Sequence, residues 1–348
     1  MPMDSRPHDV LPRGMKNTNN TCWINTALQS LIYIPEIYHL IIRLDKLNLN
    51  PEQFPITTGL AETFANIPLS TTKQKAFINC HTLPAFVPTT ILDFMAKNQE
   101  AANQFTLGQQ HDVQEFLSFI IEQLHNELKT EDTRSTTKQE EGEWMEVSAK
   151  GYNVINEINE TTSLISAICG GRERSLIRGL SKKGSLTIQP YFMLHLPLPP
   201  YARKANPPTL QDCFDIMTTN ESLEGNTSRV VKLESPLPKI LFLQLKRFQI
   251  SSKGQIRKKN SRIQFSHQLF IDPSWVSPSL SSRNQQFKYE LLQVIIHSGA
   301  SWETGHYSVY VKHPEVHDKW IHLDDERQTV VSKKDIETLN PYMFIYRR

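Results

Sequence analysis

Cysteine is scarce: the chain has four in 348 residues, at Cys22, Cys80, Cys169 and Cys213. That number excludes a disulfide-stapled scaffold, and no two of them have the C-x-x-C spacing of a local zinc knuckle. An excess of one charge is missing too, with 38 Lys and Arg against 36 Asp and Glu. A net charge of +2 creates no global field for polyanions, so a broad nucleic-acid binder is excluded. No apolar run is long enough to span a bilayer. The most apolar stretch, Leu28 to Leu44, is broken by Pro35, Glu36, His39 and Arg43. The first residues, MPMDSRPHDVLPRG, lack the apolar core of a secretory signal, and no repeat of fixed period is present. These absences lead to the expectation of a soluble, monomeric protein in a reducing compartment, the cytoplasm.

Hydrophobic residues make up 39% of the chain, enough for a sizeable core and too many for wholesale disorder. Three textures follow one another. Residues 15–130 read as helical. Ile24, Ala27, Leu28, Leu31 and Ile32 follow the spacing of one helix face after Cys22, and Pro35 stops that helix. Val113, Phe116, Leu117, Ile120, Ile121, Leu124 and Leu128 repeat the pattern, predicting a helix from about Asp112 to Lys129. Residues 130–150 are polar and charged and read as an exposed connection. Residues 151–240 mix short strand-like runs with turns. From Ile240 onward five runs rich in β-branched and aromatic residues (ILFLQLKRFQI, YELLQVIIH, HYSVYVK, KWIHLD and YMFIYRR) predict strands. The class is α+β, helices first and a mostly antiparallel sheet after.

Chemistry concentrates at two places. Cys22 follows Asn19-Asn20-Thr21, which are capping residue types, and so falls in the first turn of its helix. Amide N–H groups and the helix dipole there favour a thiolate, the nucleophilic form. The competing reading is a small buried hydrophobe. In the C-terminal region, HYSVYVK and KWIHLD are separated by a turn-like stretch with a proline. An antiparallel hairpin centred near Glu315 pairs positions summing to about 630, which sets His306 opposite Asp324. A carboxylate beside an imidazole fixes its tautomer and favours its protonated form. The competing reading is a surface ion pair. From residue types alone, His313, His317, His322 and Asp324 also suggest a metal hydrolase, but Pro314 and the strand-like flanks speak against the helix this needs.

Four longer blocks make the signal specific. GMKNTNNTCWINTALQSL (Gly14–Leu31) resembles the cysteine box of the ubiquitin-specific proteases. QQHDVQEFLSFIIEQL (Gln109–Leu124), ILFLQLKRF (Ile240–Phe248) and YELLQVIIHSG…GHYSVYVK…WIHLDD resemble that family's acidic helix, its Leu-Lys-Arg-Phe strand and its histidine box, in the family's order. The resemblance implies a papain-like α+β fold forming one catalytic domain over 1–348: a helical thumb about 14–130, a linker 130–150, fingers about 151–240 and a β palm about 241–348.

It also implies a thiol-dependent deubiquitinase acting on ubiquitin or ubiquitin-like conjugates, with no cofactor and no metal. By similarity Cys22 is the nucleophile, His306 the base and Asp324 its orienting acid. Asn17, five positions before the cysteine, is the oxyanion-hole donor, and Asp325 is a neighbouring acid that assists it. Asp112 and Glu115 meet the basic tail of ubiquitin from an exposed helix face. His297 lines the cleft, and Gly305 leaves room beside His306. Three features depart from the family. Asn19 stands where a glycine is usual, and asparagine tolerates the left-handed turn. Trp23 replaces a tyrosine. Cys169 is alone near Gly170-Gly171 and residues 221–235 have no cysteine, so a zinc-free finger region is expected. A catalytically weak or dead ubiquitin-binding relative and a protease for a ubiquitin-like modifier remain the alternatives. The basic run Lys253–Arg262 reads as a solvated hairpin tip between LFLQLKRFQI and RIQF.

Overall fold

The computed structural model describes residues 10–67, 83–129, 144–148, 151–158, 162–179, 183–200, 207–223, 226–250, 256–282, 286–301, 304–313, 316 and 318–348. Two compact units are formed, each from separated segments. The first unit takes Met1–Glu127, Gln244–Ser261 and Leu291–Ile345. The second takes Leu128–Leu243, Arg262–Glu290 and Tyr346–Arg348.

The helices of the first unit are α1 (Cys22–Ile32), α2 (Pro35–Asp45), α3 (Pro55–Ala65), α4 (Thr89–Lys97), α5 (Gln99–Gln104) and α6 (Val113–Glu127). Pro35 both stops α1 and opens α2, because a proline fits the first helical position, where its missing N–H costs no bond. Pro55 opens α3 in the same way. There the side chain of Glu127 accepts from the otherwise unpaired amides of Ile56 (2.7 Å) and Thr57 (2.8 Å). The α6 stripe of Val113, Phe116, Leu117, Ile120, Ile121 and Leu124 is buried as its spacing requires.

Helix α1 differs from the amphipathic helix expected of it. Every residue from Cys22 to Ile32 is buried, including Asn25, Thr26, Gln29 and Ser30. Buried polar side chains need partners, and the donor groups of Asn25, Gln29 and Ser30 find them, while Asn25 Oδ1 and Gln29 Oε1 have none among the described residues. Asn25 donates to the carbonyls of Met15 (3.4 Å) and Lys16 (3.2 Å), Ser30 donates to the Thr26 carbonyl (2.8 Å), and Gln293 donates to the Ser30 carbonyl (2.8 Å).

Along the chain the first strands are β1 (Trp144–Ser148), β2 (Gly151–Glu157), β3 (Gly171–Arg178), β4 (Lys183–Tyr191), β5 (Met193–Leu196), β6 (Glu221–Leu223), β7 (Thr227–Glu234) and β8 (Ile240–Leu245). They are followed by β9 (Phe248–Ile250), β10 (Ile256–Lys258), β11 (Gln268–Phe270), β12 (Lys288–Ser298), β13 (His306–Lys312), β14 (Lys319–Asp324), β15 (Arg327–Ser332) and β16 (Pro341–Arg347). The second unit holds a six-stranded sheet in the order β1-β2-β4-β3-β7-β6, antiparallel except for the β2–β4 pair. Strand β1 lies inside the stretch expected to be a connection, and the rest of 130–150 falls outside the described residues. Residues 262–290, placed with the C-terminal region on sequence grounds, cluster in this second unit, where Trp275 stacks on Phe214 at 4.5 Å and donates to Asp215.

In the first unit β15, β14, β13, β12 and β16 lie side by side in that order, and α1 packs against β13 and α6. The β13–β14 register pairs Val309 with Leu323, Tyr310 with His322 and Lys312 with Trp320. The hairpin is therefore centred one residue later than expected, and His306 and Asp324 are diagonal rather than directly opposed. Among the described residues, no helix is long and apolar enough to cross a membrane.

Candidate active site

Cys22 is the first residue of α1, as expected. The cap is built differently from the expectation. Thr21 occupies the cap position, yet its side chain makes no capping bond and instead accepts from the Thr18 amide at 3.1 Å. The Thr21 amide is held by Asn17 Oδ1 at 2.9 Å. Between them Asn19 and Asn20 adopt φ of 69° and 61°, the left-handed region that asparagine enters more easily than other side-chain-bearing residues. Asn20 then donates to the Gly108 carbonyl at 3.0 Å. Cys22 is thus delivered at the end of a pinned five-residue turn.

Trp23 ties this turn to the segment before α6. Its indole N–H donates to the Gln109 carbonyl at 3.2 Å, and its ring meets Phe105, His111 and Phe116 at 5.5, 5.0 and 5.0 Å. The same contact brings the Gln110 amide to Cys22, with Nε2 3.6 Å and Oε1 3.8 Å from Sγ. The sequence offered no sign of this neighbour beyond its place in the acidic-helix block.

His306 opens β13 and Asp324 closes β14. Their side chains meet at 2.5 Å, Nε2 to Oδ1, and Asp325 Oδ2 lies 4.0 Å from the same nitrogen. Hydrogen bonding to Cys22 is the largest influence on His306. Together with the Asp324 bond it outweighs burial and pushes the imidazole up to about 9. Cys22 and Asp324 thus both act on the one imidazole.

Asp325 adopts φ 50° in the two-residue turn from β14 to β15, and its side chain is largely buried. Its Oδ2 accepts from Asn17 Nδ2 and its Oδ1 from Asn25 Nδ2, each at 2.8 Å. Its carbonyl accepts from the Met15 amide (2.9 Å) and from Gln29 (3.2 Å). Burial raises its carboxyl above the usual range, against those two amide bonds. Asn25 and Gln29, absent from the expected site, are what fix this turn to α1.

The acidic pair on α6 divides. Glu115 is exposed, as expected. Asp112 is half-buried, because Tyr342 of β16 donates its hydroxyl to Asp112 while the Gln114 amide donates at 2.8 Å. Burial pushes this carboxyl up to about 6. His297 is buried at 6% exposure among Phe248, Tyr307 and Tyr342. A side chain on Gly305 would overlap the His297 ring, so only glycine fits there.

For a metal, one His/carboxylate cluster exists among the described residues: His306, Asp324 and Asp325, with ligand atoms within 4.8 Å of one another. All three are already bonded within the protein. His313 accepts from the Val316 amide at 3.0 Å to close the hairpin, and His322 stacks on Tyr310 at 4.0 Å and bonds Ser308. They do not converge as the metal-hydrolase alternative needs, and His317 lies outside the described residues. Cys169 and Cys213 are buried and not disulfide-bonded, and Cys80 lies outside the described residues.

A family model described as ubiquitin carboxyl-terminal hydrolase matches residues 13–346. The chain belongs to the ubiquitin carboxyl-terminal hydrolase family. It is 28% identical over 397 residues to ubiquitin carboxyl-terminal hydrolase 10 of Rattus norvegicus, covering 99% of this chain and 49% of that protein. It is 25% identical over 380 residues to ubiquitin carboxyl-terminal hydrolase 24 of Arabidopsis thaliana, covering all of this chain and 67% of that one. The chain spans about half the length of the first of these curated relatives.

Among solved structures, the SAGA Ubp8/Sgf11/Sus1/Sgf73 DUB module bound to ubiquitin aldehyde matches with a TM-score of 0.70 at 19% identity, covering 98% of this chain and 70% of that one. The same module without that ligand in its description matches with a TM-score of 0.67 at 21% identity, over 98% and 68%. The likeness establishes the fold, and the papain-like α+β class expected from the sequence is the one found. In this hydrolase chain the cysteine box supplies α1 and its turn. The histidine box supplies β12 to β14, and the acidic-helix block supplies Gln110, Asp112 and α6.

Proposed function

We propose that this chain is a thiol-dependent deubiquitinase that hydrolyses the isopeptide bond after the C-terminal glycine of ubiquitin. The observation carrying the proposal is the 2.5 Å contact of His306 with Asp324, together with the influence on that imidazole of Cys22, the first residue of a buried helix. Membership of the hydrolase family and relatives that bear that name support the choice of reaction. A solved neighbour whose description includes ubiquitin aldehyde supports the choice of modifier.

In this mechanism the Cys22 proton passes to His306 and the sulfur attacks the glycine carbonyl carbon, giving a tetrahedral oxyanion. Asn17 Nδ2 has two hydrogens. One is bonded to Asp325, and the other serves the oxyanion. Collapse breaks the C–N bond, and His306 returns the proton to the departing lysine amine. Water, deprotonated by His306, then cleaves the thioester, releasing the ubiquitin carboxylate and restoring the thiol. Asp324 holds the imidazole and stabilises its charged form. Glu115 and Asp112 face the basic tail of ubiquitin, and His297 with Gly305 shapes the approach to His306.

The test is hydrolysis of ubiquitin carrying a fluorogenic C-terminal amide. Turnover is expected to survive a chelator, to be lost with iodoacetamide and to vanish in Cys22→Ala. Unchanged turnover in Cys22→Ala overturns the proposal. Tight ubiquitin binding without labelling by a C-terminal electrophile would instead establish a binding-only relative. A panel of ubiquitin-like conjugates decides the modifier.

A further inference from the structure

Lys258 belongs to the run expected to be a solvated tip, yet it is half-buried and its ammonium is engaged. Its Nζ donates to the carbonyls of His297 (2.7 Å) and Gly299 (2.8 Å). These carbonyls flank Ser298, whose ladder partner on the next strand is His306. Lys258 is itself held firmly. It pairs with Phe248 in the β9–β10 ladder, and the Phe248 ring meets His297 edge-on at 5.5 Å. The next residue, Lys259, donates its amide to the Arg247 carbonyl at 2.7 Å. The buried Arg247 guanidinium in turn donates to the carbonyls of Pro341, Lys259 and Ser261 and to Asn340.

The backbone that Lys258 grips is coupled to His306 by close packing. Gly299 has φ +130°, and a Cβ there would stand 2.5 Å from the Thr304 carbonyl oxygen and 2.8 Å from Gly305 Cα. Gly305 rests directly on the His297 ring. The outgoing and returning backbones therefore touch twice before His306 begins β13. A shift at His297 or Gly299 has no free space to absorb it, so it reaches His306.

We propose that Lys258 is a positioning residue for the thiol chemistry: by pinning the backbone on both sides of Ser298 it sets where Gly305 and His306 lie relative to Cys22. The proposal rests on the functional reading above and adds a residue to it. Charge acts in the same direction. The titratable groups facing His297 are Lys258 from β10, His306 and Tyr307 from β13 and Tyr342 from β16. Burial holds both tyrosines well above their usual range and thus neutral. Burial first, then the charges of Lys258 and His306, pushes His297 down to about 4. Its two nitrogens have no hydrogen-bond partner among the described residues, so the ring is an uncharged plug under Gly305.

The experiment is an NMR titration of the His306 ring, beside steady-state kinetics, in the wild-type chain and in Lys258→Met. In the wild type the His306 midpoint is expected near 9, set chiefly by Cys22 and then by Asp324. In Lys258→Met it is expected to fall toward the ordinary 6.5, with kcat lower by up to about 10²-fold and KM little changed. Lys258→Arg, which keeps the charge and the donors, should restore both. Gly299→Ala disturbs the same turn without touching the lysine and must move the His306 midpoint in the same direction, which decides the matter even where Lys258→Met fails to fold. A folded Lys258→Met with the wild-type midpoint and kcat overturns the proposal. A wild-type chain lacking thiol-dependent turnover defeats the functional reading alone, since the His306 titration still reports on the tether.

Discussion

His306 and Asp324 meet on a diagonal of the β13–β14 hairpin, yet their side chains close to 2.5 Å. Direct partners in this ladder are Val309 with Leu323 and Tyr310 with His322, so continuing the register puts His306 beyond the last residue of β14. Diagonal neighbours lie on the same face because side chains alternate with a period of two, and long polar side chains span that distance. Asp324→Asn keeps the shape and removes the charge that orients the ring. Turnover should fall on the order of 10²–10⁴-fold, read as kcat on the fluorogenic substrate, with ubiquitin binding retained. Wild-type kcat in Asp324→Asn would remove Asp324 from the mechanism.

Stability should carry the same signature. His306 rises from an ordinary 6.5 to about 9 in the folded chain, chiefly through Cys22 and then Asp324. The folded state therefore holds a proton that the unfolded chain releases between those values. The stabilisation is complete below about 6.5 and is lost as pH rises through about 9. Thermal melts of wild type and His306→Ala should differ most below pH 6.5 and converge above about 9. Because the ring is 40% exposed, solvent screening keeps the gap small. A gap that widens at alkaline pH contradicts this pairing.

Asp112 acts with the same sign at lower pH, but from burial rather than from a gained partner. Burial raises its carboxyl from 3.8 to about 6, so between those values the folded chain binds a proton that the unfolded chain lacks. Stability should decline as pH rises across that window and level off above it. Asp112→Asn retains an acceptor for the Tyr342 hydroxyl and should flatten the decline, as seen in urea unfolding at pH 4, 5, 6 and 7. Tyr342→Phe removes the donor to Asp112 and the acceptor for Gln244, which donates to that hydroxyl at 2.7 Å. It should cost about 1–3 kcal/mol. A pH slope unchanged by Asp112→Asn would mean that another carboxylate sets it.

The elements that sequence made legible are those whose signal is local. Helical spacing marked α1 and α6, and runs of β-branched and aromatic residues marked β12, β13, β14 and β16. A helix start placed Cys22 and a hairpin register paired His306 with Asp324, both short-range arguments, while the meeting of the three was implied only by the family resemblance. What stayed hidden depends on partners far along the chain. The polar side of α1 looked like a solvated face, but Asn25 and Gln29 bond Asp325 about 300 residues later. Asp112 looked exposed until Tyr342 covered it. Strand β15 (RQTVVS) is short and half polar, so its pattern is weak. The expected hairpin between LFLQLKRFQI and RIQF instead closes earlier, between β9 and β10.

Asn19 offers a backbone test. At φ 69° a side chain pays the left-handed penalty that glycine avoids, next to Asn20 in the same region. Asn19→Ala, which loses asparagine's tolerance of that region, should destabilise by about 1 kcal/mol. Asn19→Gly should stay within about 1 kcal/mol of wild type, since relief of strain is set against a more flexible unfolded chain. Denaturant midpoints measure both, and the electrophile-labelling rate of Cys22 reports whether the turn still presents the sulfur. A more stable Asn19→Ala would show that the turn is not held in this conformation.

The Asn17–Asp325–Asn25 network separates an oxyanion donor from its supports. Asn17→Ala removes the donor itself and should lower kcat on the order of 10²–10³-fold with KM nearly constant. Asp325→Ala leaves the donor present but held only through its Oδ1, because Asn17 Nδ2 loses its 2.8 Å acceptor while the Thr21 amide still bonds Oδ1. The loss should be smaller than for Asn17→Ala and should fall on kcat as well. Burial raises the Asp325 carboxyl, so on acidification it takes up a proton earlier than an ordinary aspartate and loses an acceptor for Asn17 or Asn25. The acid limb of kcat should therefore carry a component that disappears in Asp325→Asn while the alkaline limb set by His306 stays in place. If Asp325→Asn displaces the alkaline limb instead, Asp325 acts on the imidazole at 4.0 Å rather than on the oxyanion donor.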